Sequence, residues 1–382
     1  MDFSFSEEQQ DLQNLAKQIL EGELSIERLK EIDAGTEHFD RVLWAKLADA
    51  GILGVAVPEA HGGLGYGFLE VALVLEQVGR TVAPVPFLAS AVLGGLPIAQ
   101  LGTDAQQATH LPGVASGETV LTAALVEFGA EPLDPQTTAR RDESGWVLDG
   151  VKDCVPAGMV ATTILVPARA DDGGIVLALV DAGAEGVVLD RQDTTNADPE
   201  ARLTLTGVRV HDDDVLGTSA DGAANLEWIV ERATAAQCAV AIGVCEEALR
   251  MTAEYTKTRE QFDRVIATFQ AVGQRAADAY IDTEAIRLTT WQACWRLSEG
   301  LPATAEVAVA KFWAAEGGQR VVHAAQHLHG GMGVDRDYPL HRYFLLAKKL
   351  ELTLGGATPQ LLKLGGLLAD APASGLAAAE RV

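Results

Sequence analysis

Apolar residues follow a helical period over the first part of the chain, change to short runs in the middle, and return to a helical period afterwards. Residues 1–117 and 218–382 place apolar positions three or four apart, which predicts amphipathic helices. Residues 118–217 contain short β-branched and apolar runs between Gly, Asp and Pro, which predicts strands. The pattern therefore predicts an α+β protein with an N-terminal helical domain (1–117), a middle β-barrel or sandwich domain (118–217) and a C-terminal four-helix bundle (218–382).

Capping and turn residues refine these boundaries. Ser6, with Gln9 three residues later, predicts a capped helix start, and Gly51 predicts the end of a helix over 39–50. A glycine-rich loop before a helix over 68–78 lacks the order of a phosphate-binding loop, so we interpret it as a tight connector. The strands expected are 146–155, 162–168, 174–181, 186–190 and 202–210. The C-terminal helices expected are 226–258, 270–297, 303–327 and 339–352.

Composition and charge narrow the classes of function. The chain has 382 residues, 48% of them hydrophobic, and a net charge of −25. Such an acidic chain is not expected to bind nucleic acid or an anionic membrane surface. The N-terminus lacks an apolar signal core, and no run of about eighteen apolar residues predicts a membrane span. Four cysteines without C-x-x-C spacing are predicted to be reduced core residues of a cytoplasmic protein.

The stretch 255–270, YTKTREQFDRVIATFQ, contains an arginine among regularly spaced aromatic and apolar residues. If the stretch were one continuous helix, one face would hold five residues spaced three or four apart: Tyr255, Arg259, Phe262, Ile266 and Phe269. An arginine on a buried face is costly unless an anion meets it. The spacing leaves two alternatives open, namely an intramolecular salt bridge or a bound carboxylate or phosphate.

The same stretch resembles the R-x-Q-F-G-x-x-I-x-x-F-Q signature of the flavin-dependent acyl-CoA dehydrogenase family. The match includes Arg259, Gln261, Phe262, Phe269 and Gln270, together with Ile266. In that family these residues reach across a dimer interface to the ADP half of the neighbouring subunit's FAD. Asp263 replaces the usual Gly. Because a carboxylate near a pyrophosphate is unfavourable, Asp263 must point away or the local turn must differ.

A second string, QHLHGGMGVDRDYP, resembles the family's Q-x-x-G-G-x-G loop, which also contacts the neighbour's FAD. Its glycines Gly330, Gly331 and Gly333 would allow close approach to a ligand. His327 stands at the usual Gln position, with Gln326 one residue off. His323 and His327 lie four apart and could share a metal, but without an accompanying metal-binding pattern we predict no metal site.

The catalytic base of the family is missing at its usual place. The family's Y-E-G-T-S-x-I-Q motif is matched by residues 353–360, so Leu354 replaces the glutamate and Gly356 replaces an FAD-contacting Thr. The alternative position on the first C-terminal helix is Ala233. Glu351 and Glu231 are the nearest carboxylates, and both are weak candidates for a base.

The flavin-side contacts are replaced as well. The family's V-T-E-P strand is matched by residues 125–128, where Val126 stands for the flavin-bonding Thr. Its K-x-W-I-T strand is matched by residues 152–156, where Cys154 stands for the stacking Trp and Pro156 for the Thr that would bond N5. Proline has no backbone N–H to offer the ring.

The resemblance therefore implies one subunit of a heteromeric, FAD-dependent acyl-CoA dehydrogenase, similar to the steroid side-chain-degrading members, with one FAD shared by each unlike pair. A homologous partner subunit in an α2β2 heterotetramer would supply the base and the flavin seat. The implied substrate is an acyl-CoA, and the acceptor is an electron-transfer flavoprotein or a similar protein. Two alternatives remain: a self-sufficient dehydrogenase with a relocated base such as Glu351, and a flavin-free assembly or regulatory subunit.

Overall fold

The computed structural model describes residues 4–370. Contacts within the chain divide it into two compact units, with the boundary between Val244 and Cys245.

The first unit begins with helices. The Ser6 hydroxyl accepts a hydrogen bond from the Gln9 backbone N–H, and the Ser6 backbone N–H donates to the Gln9 side-chain oxygen, which confirms the predicted capping box. Gly51 has φ of 75° directly after the third helix, as expected of a residue that ends a helix. The helices are α1 (Glu7–Glu23), α2 (Ile26–Ala34), α3 (Arg41–Asp49), α4 (Phe68–Thr81), α5 (Leu96–Leu101) and α6 (Asp104–Ser116), with a π-helical segment (Leu88–Gly95) before α5.

Helix α4 is buried because most of its residues are apolar. Its glycine Gly79 lies so close to α7 (Gly222–Thr258) that an added Cβ would be 2.1 Å from the Val240 carbonyl oxygen. At Gly243 of α7, an added Cβ would be 1.9 Å from the Glu76 carbonyl oxygen. The two helix backbones therefore meet at a pair of glycines, where no larger residue fits.

The middle of the chain forms a curled mixed sheet, in agreement with the predicted strands. The strands are β1 (Leu121–Ala123), β2 (Thr138–Arg141), β3 (Gly145–Val155), β4 (Thr163–Ala170), β5 (Ile175–Asp181), β6 (Val187–Gln192) and β7 (Glu200–His211). Their order is β1-β4-β2-β3-β7-β6, and β5 pairs with β4. Apolar side chains of these strands form one buried cluster that includes Leu148, Val166 and Leu203.

The β3–β7 pairing is irregular between Lys152 and Val155. At this point Cys154 has φ of 50°, a left-handed conformation that is rare outside glycine. The strand therefore bends where the family's flavin-facing motif lies.

Helix α7 is long and apolar enough to span a membrane by length and composition, but 83% of its most apolar window is buried inside the protein. A mostly buried helix of this kind is typical of a soluble core.

The second unit continues from the end of α7 into further helices. They are α8 (Gln270–Ser298), α9 (Thr304–His329), α10 (Leu340–Leu352) and α11 (Ala357–Asp370). Helices α8 and α9 run antiparallel and are joined by a bidentate ion pair, in which Arg320 donates to both Asp282 oxygens at 2.8 and 2.5 Å. This pairing brings the first turns of α8 next to the last turns of α9.

Candidate functional site

A two-residue hairpin interrupts the stretch 255–270. Helix α7 ends at Thr258, and a short ribbon then pairs Gln261 with Arg264. Phe262 and Asp263 lie between them with φ of 55° and 60°, the signature of a type I′ turn. The predicted end of one helix at 258 and start of the next at 270 are confirmed. The one-face arrangement considered for a continuous helix does not apply, because the backbone reverses direction between them. The turn also accounts for the family's Gly at position 263, where φ is positive; aspartate tolerates this conformation better than most residues.

The side chains around the hairpin form an exposed basic and aromatic edge. Arg259 is exposed, and no carboxylate among residues 4–370 pairs with it. The intramolecular salt bridge considered for it is thus not present in the part of the chain that the structure describes. Phe262 is 86% exposed and meets Phe269 edge-on at 6.1 Å, while the Arg264 guanidinium stacks 3.9 Å from the Phe269 ring centre.

The hairpin leads directly into the N-terminus of α8. Gln270 is the first residue of this 29-residue helix, and Phe269 occupies the capping position without a side-chain hydrogen bond. Free backbone N–H groups and the positive end of the helix dipole favour an anion at such a position. An exposed arginine and an uncapped helix start therefore follow each other along the chain.

The loop after α9 contains three glycines, and the structure gives a different explanation for glycine at each position. Gly330 adopts φ 59° and ψ −135°, which a residue with a side chain avoids. At Gly333 an added Cβ would be 2.6 Å from the Gln326 carbonyl oxygen, so close packing requires glycine there. At Gly331 an added Cβ would have no neighbouring atom within 4 Å. The fold itself thus does not require glycine at Gly331, as expected if the space is reserved for a ligand.

Gln326 and His327 have different roles. The Gln326 side-chain amide donates to the Gly333 carbonyl oxygen at 3.2 Å and closes the glycine loop. His327 instead lines an open cavity of about 630 Å³ between α8 and α9, where its Nδ1 atom contacts the Arg275 guanidinium. Of these two residues, His327 is the one whose side chain is available to a ligand in this cavity.

The other histidines of this region serve packing and hydrogen bonding. His329 is buried, stacks on Tyr255 at 4.4 Å, and bonds the Ala325 carbonyl and the Tyr338 hydroxyl. Burial lowers the pKa of His329, so it is held neutral. His323 packs edge-on against Phe344. Within residues 4–370, no three His, Cys, Asp or Glu side chains are grouped as metal ligands.

The positions that match the family's flavin-facing strands are satisfied by the chain's own groups. The Cys154 backbone N–H donates to the Gln192 side-chain oxygen at 2.6 Å. The Pro156 carbonyl accepts from the Thr122 hydroxyl at 2.6 Å, and the Val126 carbonyl accepts from the Asp153 N–H at 2.9 Å. A flavin ring would thus find neither a free Cys154 N–H nor any N–H at Pro156.

Cys154 corrects one prediction from the sequence. Its thiol is exposed, whereas Cys238, Cys245 and Cys294 are buried, and all four are free cysteines. The prediction of a core residue is wrong for Cys154 because the irregular pairing of β3 turns this position outwards. For the three helical cysteines it is confirmed.

The two segments that match the family's flavin-facing motifs are joined by a buried ion pair. Lys152, which is 1% exposed, donates to Glu127 at 2.5 Å and to the Pro167 carbonyl at 2.7 Å. Glu127 also accepts from Thr137. Burial alone would raise the pKa of Glu127, but the Lys152 ammonium and the Thr137 donors outweigh it and hold that pKa below its usual range. Burial lowers the pKa of Lys152 as well, and Glu127 opposes that shift. The ion pair links residues 125–128 to residues 152–156, although the flavin-facing positions of both segments carry other residues.

The carboxylates considered as a base are already engaged. Leu354 occupies the usual position in a left-handed turn after α10, with φ of 56°. Glu351 accepts from Lys348 at 2.5 Å within the same helix. Glu231 lies beside Arg232, whose guanidinium stacks 3.8 Å from the Trp228 ring centre. Burial lowers the pKa of Arg232 to about 10, and the neighbouring Glu231 opposes that shift. Glu351 is thus ion-paired within its own helix, and Glu231 has a cation as its sequence neighbour.

Comparison with known proteins agrees with this fold and these motifs. The models of the acyl-CoA dehydrogenase N-terminal, middle and C-terminal domains match residues 6–118, 126–212 and 221–362. The chain belongs to the acyl-CoA dehydrogenase family, flavoprotein oxidoreductases that act on CH–CH bonds. The family, the fold class and the type of enzyme predicted from the sequence are confirmed.

Individual relatives are similar over almost their whole length. Acyl-CoA dehydrogenase FadE27 of Mycobacterium tuberculosis is 44% identical over 98% of this chain and 100% of the relative. A chain of the ChsE4-ChsE5 complex from the same organism has a TM-score of 0.93 at 44% identity, covering 98% of this chain and 100% of that chain. A chain of the steroid acyl-CoA dehydrogenase Tcur3481-Tcur3483 has a TM-score of 0.90 at 45% identity, covering 95% and 98%.

Sequence reasoning did not find Arg275. A signal was present, because Arg275, Asp278 and Asp282 are spaced three and four apart on a predicted helix and so place charges on one face. That face lines the cavity in which His327 lies.

Proposed function

We propose that this chain is the cofactor-completing subunit of a heteromeric, FAD-dependent acyl-CoA dehydrogenase. The observation that carries the proposal is an asymmetry between two sites. Arg259 is exposed without a carboxylate partner among residues 4–370, and it lies near an uncapped helix start. By contrast, the backbone N–H of Cys154, at the flavin-facing bend, is satisfied internally. The chain therefore fits the phosphate end of a dinucleotide and does not fit its ring.

The residues of this subunit would bind and orient the cofactor of its partner. Arg259 would neutralise phosphate charge, and Gln261, Gln270 and His327 would offer hydrogen-bond donors. Gly330, Gly331 and Gly333 would keep the loop free of side chains, and Phe262 and Phe269 would exclude water from one side. FAD, when bound, supplies the acceptor for the hydride that leaves the acyl β-carbon.

Proton abstraction is assigned to the partner subunit. Leucine at position 354 has no group that accepts a proton. Glu351 is ion-paired with Lys348, whereas a base for this reaction needs a carboxylate whose pKa is raised in a dry pocket. The proposed reaction is α,β-desaturation of an acyl-CoA, with the base and the flavin seat both in the other chain.

The proposed partner is a homologous acyl-CoA dehydrogenase subunit in an α2β2 heterotetramer. Support comes from the similarity to a chain of the ChsE4-ChsE5 complex and to a steroid acyl-CoA dehydrogenase. On that basis we propose a steroid side-chain CoA thioester as the substrate and an electron-transfer flavoprotein or a similar protein as the acceptor. The acidic composition and the buried α7 helix fit a cytoplasmic location away from membrane surfaces.

The proposal is tested by co-expressing the chain with a homologous subunit that retains the base and the flavin seat. Arg259→Ala should weaken FAD binding to the purified complex about 10- to 100-fold, since a charge-assisted contact contributes roughly 1.5–3 kcal/mol. Arg140→Ala is the matched control, because Arg140 is an exposed arginine on β2. Unchanged FAD occupancy in Arg259→Ala would contradict the proposal and favour a flavin-free assembly role.

A further inference from the structure

Two basic side chains touch each other at the edge of the proposed nucleotide site. The Arg275 guanidinium of α8 contacts Nδ1 of His327 on α9. Neither residue pairs with a carboxylate within residues 4–370. In a chain of net charge −25, a basic pair without an acidic partner is unexpected unless it serves an anion.

The contact determines which nitrogen of His327 carries the proton. Arginine stays protonated in proteins and can only donate hydrogen bonds. Nδ1 of His327 therefore accepts in this contact, which places a ring proton on Nε2. One nitrogen is engaged by Arg275, and the other is a defined donor.

Among the neighbouring groups, Arg320, Asp282 and His323 have contacts of their own, whereas Asp278 is a carboxylate of the same cavity with no ion pair within residues 4–370. The charged and titratable side chains that line the same cavity come from α8 and α9 only: Arg275, Asp278, Asp282, Arg320, His323 and His327. Arg320 and Asp282 are engaged in their own bidentate pair. His323 packs against Phe344. The Gln326 amide is bonded to the Gly333 carbonyl and cannot donate to a ligand. His327, which stands at the position of the family's Gln, is therefore the side chain that can replace the Gln donor in this cavity.

We infer that Arg275 is a positioning residue that holds His327 as an Nε2–H donor to a phosphate oxygen of the partner's dinucleotide. The inference rests on the proposed function and adds a residue to it. In this scheme Arg275 acts through the ring and not on the ligand. An amide at position 327 would need no such help, because its N–H groups donate in either orientation.

A double-mutant cycle in the co-expressed complex tests this coupling. The variants are Arg275→Ala, His327→Gln and the pair, and the readout is the Kd for FAD after removal and readdition of the flavin. Arg275→Ala should weaken FAD binding about three- to tenfold, the size of one hydrogen bond. In the His327→Gln background the same change should have no effect. Arg275→Lys should restore most of the affinity, since an ammonium also donates.

The Arg275→Lys variant separates positioning from a structural role. A lysine ammonium still donates to Nδ1, whereas packing of the planar guanidinium would not be restored by it. A defect of equal size in both backgrounds that Arg275→Lys does not rescue would overturn the inference.

Arg259→Ala, measured in parallel, distinguishes the two ideas. If Arg259→Ala weakens FAD binding and Arg275→Ala does not, only the inference on Arg275 fails. If neither change affects FAD binding, the proposed function fails with it.

Discussion

The buried pair of Lys152 and Glu127 gives a prediction on stability with a defined size. In Lys152→Met the Glu127 carboxylate loses its ammonium partner at 2.5 Å while it remains 8% exposed. Removing one partner of a buried pair costs about 3–5 kcal/mol, because an uncompensated charge stays buried. At roughly 2–4 °C per kcal/mol for a unit of this size, the thermal midpoint should fall by roughly 6–20 °C.

The matched control is the double variant Lys152→Met with Glu127→Gln, which removes both charges. It should recover most of the loss, since a neutral buried pair carries no desolvation penalty of this size. The pH dependence has a defined sign. The pKa of Glu127 is held below its usual 4.5, so its contribution is full at neutral pH and is lost as the pH falls through the lowered value. A thermal midpoint of Lys152→Met within about 2 °C of the wild type, equivalent to under 1 kcal/mol, would refute the reasoning.

Further predictions concern the proposed roles of single positions. Glu351→Gln should leave turnover of the co-expressed complex within about twofold of wild type, because the Glu351 carboxylate is paired with Lys348. A loss of turnover of a hundredfold or more is typical of a removed base, and it would identify Glu351 as the catalytic base after all. Gly79→Ala should lower the thermal midpoint of the isolated chain, since its Cβ would collide with α7 at 2.1 Å, whereas Gly273→Ala on α8, with open space, should not. Gly331→Ala should leave the thermal midpoint unchanged but weaken FAD binding to the complex, while Gly333→Ala should lower the midpoint; equal behaviour of the two would contradict their separate roles.

The sequence predicted most helices and strands because their hydrophobic periods are strong. The starts of α1 and α8 and the strands β3 to β7 lie within about two residues of the expected positions, the usual uncertainty of such boundaries. Strands β1 and β2 were not predicted, because they are short and join the sheet by pairing with β4 and β3, which local patterns do not reveal.

The hairpin after α7 was missed for a different reason. Type I′ turns are normally marked by Asn-Gly or Asp-Gly, and here the turn residues are Phe262 and Asp263. The break between the helices over 226–258 and 270–297 was predicted, but nothing in the turn residues indicated that a hairpin fills it. Likewise, no local pattern connects Cys154 with Gln192 or Arg275 with His327, because each pair comes together only through tertiary structure.

The most direct test of the account is the flavin content of the isolated chain compared with that of the co-expressed complex. We predict that the isolated chain purifies almost without FAD and without acyl-CoA turnover, and that the complex contains one FAD for each unlike pair of chains. An isolated chain that binds one FAD per polypeptide and desaturates an acyl-CoA by itself would contradict the account.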